Sequence, residues 1–147
     1  MNARSIIDTS FLVLRLSPYS ESSIVAAGLT PCHGQVHFLV HGARKLGPKS
    51  FPTFDLFRVL RVQYRDSTAD LHRVSKTELV VAYADVARHM AAYRTAGWLA
   101  RFSLLNAPAD MEQPRLFNAL CLGLQRLADA HRHPERAHLV ADAVVVG

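Results

Sequence analysis

The spacing of apolar residues changes period once along this chain, close to Ala84, and that change fixes the class of fold open to it. Before it the pattern alternates. From Gly34 to Ala43, Val36, Phe38 and Val40 fall on one face and Gln35, His37 and His41 on the other, the two-residue period of a half-buried strand. After it the pattern is helical: Met90, Tyr93, Trp98, Phe102 and Leu105 populate a broad apolar face across residues 85–106, too wide for an isolated surface helix. The expected class is therefore β + α, with strands first and helices second.

The strands can be placed individually. Phe11 to Leu16 is expected to turn Leu12, Leu14 and Leu16 inward and Arg15 outward, and Ser22 to Thr30 ends at Pro31 with a turn centred on His33-Gly34. With Gly34 to Ala43 these make a three-stranded meander. A fourth strand, Phe54 to Arg65, puts Phe54, Leu56, Leu60, Val62 and Tyr64 on one face, while Phe57 and Val59 interrupt from the other, as at a bulge or a barrel corner. Asp66-Ser67 turns the chain into a fifth strand, Ala69 to Leu79. Five short antiparallel strands are the inventory of an OB-fold, and an SH3-like barrel has the same count. Residues 1–80 thus read as a barrel and residues 81–147 as a partial helical domain. Its second helix starts near Pro114 and carries Leu116, Phe117, Leu120, Cys121, Leu124 and Leu127, and a third follows Pro134. That third helix stops on Val144-Val145-Val146-Gly147, an apolar ending that reads as a truncated helical domain.

Half of the 147 residues are apolar, enough for a packed core, so a disordered chain is excluded. The net charge is +5, and its placement is uneven. Residues 1–65 carry eight Lys/Arg against three acids, whereas residues 66–147 carry nine against nine. The positive field belongs to the β-rich part and predicts a polyanionic partner. Cys32 and Cys121 lie far apart and outside any Cys-x-x-Cys pair, which points to a reducing compartment, the cytoplasm. No signal sequence and no apolar run of membrane-spanning length is present, so no membrane partner is expected.

Arg44, Lys45 and Lys49 are the leading candidate site. They lie in a connection flanked by Gly42, Gly47 and Pro48, where cations stay exposed and can neutralise phosphates without reading sequence. Arg15 and Arg61 could extend the site onto strands, beside His37 and His41, and Tyr19, Phe51 and Phe57 are available to stack on bases. No metal is expected: His37 and His41 on one strand stand roughly 13 Å apart, too far to share a zinc ion. No catalytic residue and no cofactor is expected either, since no nucleophile elbow, phosphate loop or paired metal carboxylates appear.

The segments Pro18-Tyr19-Ser20-Glu21, Thr30-Pro31-Cys32-His33-Gly34 and Gly42-Ala43-Arg44-Lys45, in this order and separation, resemble the N-terminal domain of the bacterial RecO family, with Ser20 standing where that family usually has glycine. The resemblance favours the OB-fold over the SH3-like barrel. It implies a nucleoid-associated recombination mediator in DNA repair, not an enzyme, that binds single- and double-stranded DNA and anneals complementary strands. It further implies action with RecR-like and single-strand-binding proteins to load a recombinase. The competing function is a protein-interaction adaptor, in which Trp98, Phe102, Phe117 and Leu120 offer a groove to a partner and the barrel is a scaffold.

Overall fold

A computed structural model describes residues 5–42 and 53–129. Five strands come first: β1 (Ile6–Pro18), β2 (Ile24–Thr30), β3 (Gly34–Val40), β4 (Arg58–Arg65) and β5 (His72–Ala82). A short 3-10 turn, Ala84–Arg88, leads into α1 (Met90–Asn106) and then α2 (Pro114–Asp129). Hydrogen bonding runs in the cyclic order β1-β2-β3-β5-β4, so the sheet closes on itself. All neighbours are antiparallel except β3 and β5, which pair in parallel through only Phe38↔His72 and Leu39↔Arg73. That seam is the weakest part of the barrel wall.

The core has two compartments, and β1 divides them. Phe11 and Val13 join Ala26, Val36, Phe38, Leu60, Val62 and Tyr64 inside the barrel, with Phe11 and Tyr64 each edge-on to Phe38. Leu12 and Leu14 face the opposite way, onto the helices, beside Leu29, Val59, Leu99, Leu120, Leu124 and Leu127. A strand buried on both faces carries a continuous apolar run, which is why simple alternation misassigned this one. The β1–β2 register shifts between Val13 and Arg15, and beyond it Leu16 packs with the barrel interior. Leu12 and Leu14 therefore belong to the helical side and Leu16 alone faces inward.

The fourth strand also differs from expectation, since it begins at Arg58 rather than Phe54. Phe57 adopts a left-handed backbone (φ 59), which ends regular pairing there. It is held by its own N–H to the Val13 carbonyl (3.0 Å), by the Tyr83 N–H on its carbonyl (3.1 Å), and by its buried ring, edge-on to Tyr93. A register shift between Val59 and Leu60 then sends Val59 to the helical compartment and Leu60 into the barrel, the corner that the mixed pattern suggests. The fifth strand starts at His72, because residues 66–71 form a loop.

Helix α1 buries Ala92, Ala96, Leu99, Ala100 and Ser103, the first four within the compartment it shares with the barrel, the 3-10 turn and α2. Small residues let its backbone approach the bulky Leu12, Leu14 and Leu29. Its large side chains point elsewhere: Met90, Tyr93, Trp98 and Leu105 are exposed, Leu105 to 85%. The broad apolar face expected of this helix is therefore mostly uncovered among the described residues. Helix α2 is the amphipathic one, with Pro114 in its first turn and Phe117, Leu120, Leu124 and Leu127 buried. No helix among the described residues is long and apolar enough to cross a membrane.

Candidate nucleic-acid interface

Strand register determines which charges share a surface. Arg15 on β1 is opposite Ala27 on β2, and Ala27 is opposite His37 on β3. The three form one row on the outside of the barrel, with Ala27 too short to separate its neighbours. The next row is Ser17, Val25 and Leu39, continued across the parallel seam to Arg73 on β5. Arg15 and Arg73 are exposed, and neither is ion-paired with an acid among the described residues. Two guanidiniums, neither paired with a described acid, thus flank the half-buried Val25 and Leu39, with Ala27 buried beneath, a surface suited to phosphates at its edges.

His37 is fixed within this surface. Gln35 Nε2 donates to the carbonyls of Leu104 and Ala107, both at 2.8 Å, which leaves Oε1 as the acceptor for His37 Nε2 at 2.7 Å. The proton must sit on Nε2, and Nδ1 keeps its lone pair. Partial burial pushes the His37 pKa below its usual value, the Arg15 charge pushes it further, and Asp70 opposes both. His41 follows two residues beyond Leu39, with its Nδ1 3.2 Å from Ser23 Oγ. Gly42, with φ +73, ends the described segment. Arg44, Lys45 and Lys49 come next in the sequence and, like Phe51, lie outside the described residues.

Arg61 is elsewhere. On β4 it stands opposite Ser10 and Glu78, and its Nε donates to Asp8, which also accepts from Gln63 at 3.0 Å. Those two hydrogen bonds, Gln63 first, lower the Asp8 pKa. A guanidinium already matched by a carboxylate has less to offer a phosphate, so the register brings together Arg15 and His37 but not Arg61. Among the aromatic candidates, Phe57 is buried in the helical compartment, while Tyr19 is exposed.

The two turns flanking β2 are built differently. Residues 19–23 close through the Tyr19 and Ser20 N–H groups on the Ser23 carbonyl, with Ser20 Oγ accepting from the Ser23 N–H. No residue there has positive φ, so serine fits without strain. The Thr30–Gly34 turn instead docks on the α1–α2 connection: the Asp110 N–H reaches the His33 carbonyl (3.0 Å), the Gln113 N–H reaches Pro31 (2.9 Å) and the Gln35 N–H reaches Pro108 (3.2 Å). Arg73 and Gln35 were not evident as site residues in the sequence, since the parallel β3–β5 pairing and the reach of Gln35 to Leu104 are both long-range.

The apolar helical residues divide as well. Phe117 and Leu120 are core, whereas Trp98, 43% exposed, stacks on Phe102 at 5.4 Å and 15°. They do not form one groove.

The chain matches the family model described as "Recombination protein O N terminal" over residues 1–83. It is also similar to the "DNA repair protein RecO" of Cyanothece sp. (strain PCC 7425 / ATCC 29141), 29% identical over 118 residues, covering 78% of this chain and 39% of that protein. The chain therefore spans about two fifths of the length of that relative.

Proposed function

We propose, from the premise that this chain belongs to the RecO family, that it is a DNA-binding protein of DNA repair whose barrel is of the OB type and holds single strands on its outer face. The observation that carries this reading is the placement of Arg15 and Arg73, unpaired with any described acid, on adjoining rows at the root of the basic segment that contains Arg44, Lys45 and Lys49. Cations on an exposed face contribute affinity that depends on salt and not on base sequence. Tyr19, exposed at the β1–β2 turn, can add a stacking ring.

In this reading the protein is a mediator, not an enzyme. It holds complementary strands near one another and so accelerates annealing, while RecR-like and single-strand-binding proteins are its partners and recombinase loading its outcome, all by resemblance to the family. Its place of action is the cytoplasm, at the nucleoid. The test is a titration of labelled single-stranded and duplex DNA at low salt, followed by annealing of complementary oligonucleotides. Binding to both, with faster annealing and intact strands in the presence of magnesium, manganese or zinc, is expected. Absence of binding at low salt would refute the reading.

A further inference from the structure

A cavity of about 740 Å³ opens at the parallel seam of the barrel, beneath the β4–β5 loop, and borders the Arg15 row at His37. His37 and Gln35 of β3 form one wall, Asp66 to Asp70 of the loop and His72 another, and Asp110 of the α1–α2 connection closes a third. Tyr64 lies at the bottom. Its ring is packed against Phe38 and His72, each 5.0 Å away between centroids, and only 2% of the residue is exposed. Its hydroxyl has no hydrogen-bond partner among the described residues. Tyr64 is one of the residues that line the cavity. Burial raises the phenol pKa to about 12, and the charges of Asp66 and Asp110 contribute, which places both carboxylates near it. The phenol therefore stays protonated, a donor and an acceptor on a residue that lines the cavity.

We propose that this cavity receives one base, turned out of the bound strand and read by its amine edge. The inference rests on the DNA-binding reading above. Carboxylates at Asp66, Asp70 and Asp110 accept hydrogen bonds and repel phosphate, so the phosphodiester must stay on the arginine side while the base enters. His37 marks the boundary, since it lines the cavity and feels Arg15 from one side and Asp70 from the other. Two strand spacings, roughly 10 Å, separate the Arg15 backbone from that of His37. The volume accommodates a nucleobase with room for its sugar. Acceptors favour a base that presents an exocyclic amine, as cytosine and adenine do, and disfavour thymine, which presents a carbonyl in the corresponding place. A face that binds backbone without preference would thus acquire a preference at one nucleotide.

Anisotropy titrations with labelled oligo(dC) and oligo(dT) of equal length, at neutral pH and one salt concentration, test this. Wild-type protein should bind oligo(dC) at least about fivefold more tightly. The variant Asp66→Ala/Asp70→Ala, altered only in an exposed loop, should bind the two equally, with oligo(dT) affinity no weaker than before. Tyr64→Phe keeps the ring contacts and removes only the hydroxyl. It should narrow the preference and decides the matter if the loop variant fails to fold. Equal, salt-dependent binding of both oligomers by the wild type would overturn the base pocket while leaving the DNA-binding reading intact. A preference that survives both variants would also overturn it, and no binding of either oligomer would overturn both readings.

Discussion

Replacing Gly34 with alanine should loosen the barrel from its helices, and a second glycine supplies the control. Gly34 has φ +65, and a Cβ built there would lie 2.3 Å from the Pro108 carbonyl oxygen and 2.8 Å from that of Met111. Gly42 has φ +73, but no atom of the described residues lies within 4 Å of its Cβ position. Gly42→Ala should therefore lose only the conformational term, about 1–2 kcal/mol for a left-handed non-glycine residue. At Gly34 the same term applies, and the chain must also move away from residues 108–111. That movement breaks the contacts of Gln35 with Pro108, Asp110 with His33 and Gln113 with Pro31. Three backbone hydrogen bonds at about 0.5–1.5 kcal/mol each bring the expected loss for Gly34→Ala to about 3–6 kcal/mol. Urea unfolding of both variants and the parent, at matched m-values, measures the difference. If Gly34→Ala costs no more than Gly42→Ala, the turn does not clamp the helical layer and the account of that motif is wrong.

Three further outcomes follow from individual side chains. Gln35→Ala leaves the Leu104 and Ala107 carbonyls and His37 Nε2 without their partner and should cost about 1–3 kcal/mol in urea unfolding; a loss indistinguishable from zero would contradict the clasp. The Asp8 pKa is lowered in the folded state, so its contribution is present above the ordinary carboxylate pKa of about 4 and is lost as pH falls through the folded value. Asp8→Asn should accordingly show a shallower fall of melting temperature in acid than the parent, and an identical acid limb would refute the pairing with Gln63 and Arg61. Burial pushes the Cys121 thiol up to about 11 while Cys32 is exposed, so iodoacetamide at mildly alkaline pH should label Cys32 first in the folded protein. Equal labelling rates, read by mass spectrometry, would contradict the burial of Cys121.

Local pattern and long-range pairing explain which parts of the molecule the sequence reveals. The alternation of Val36, Phe38 and Val40 is legible because β3 has one interior face, and Pro114 with Phe117, Leu120 and Leu124 is legible because α2 has one buried stripe. The orientation of Leu12 and Leu14 is not, because β1 is buried on both sides and a register shift near Arg15 resets its faces. In α1 the helical period is visible but the buried face is not. Large apolar residues suggest a buried or partner-covered face through Trp98 and Phe102, whereas the face that packs inward is that of Ala92, Ala96 and Ala100. The site is legible in part for the same reason. Arg15 stands out as a cation within an apolar strand, but its meeting with His37 depends on two strand registers, and the capture of Arg61 by Asp8 depends on a third. Arg73 joins the face only through the parallel seam, which no local pattern encodes.

The salt dependence of single-strand binding tests the central claim most directly. Each neutralised phosphate contributes about −0.7 to the slope of log affinity against log salt. If Arg15, Arg44, Lys45 and Lys49 each meet one phosphate, they contribute about −2.8 to that slope. Replacing Arg44, Lys45 and Lys49 with alanine should flatten it by about two units, and adding Arg15→Ala by a further 0.7 or so, whereas Arg61→Ala should leave it nearly unchanged. Circular dichroism and melting temperature establish that each variant is folded. A slope that survives the fourfold replacement in a folded protein would contradict the assignment of DNA binding to these residues.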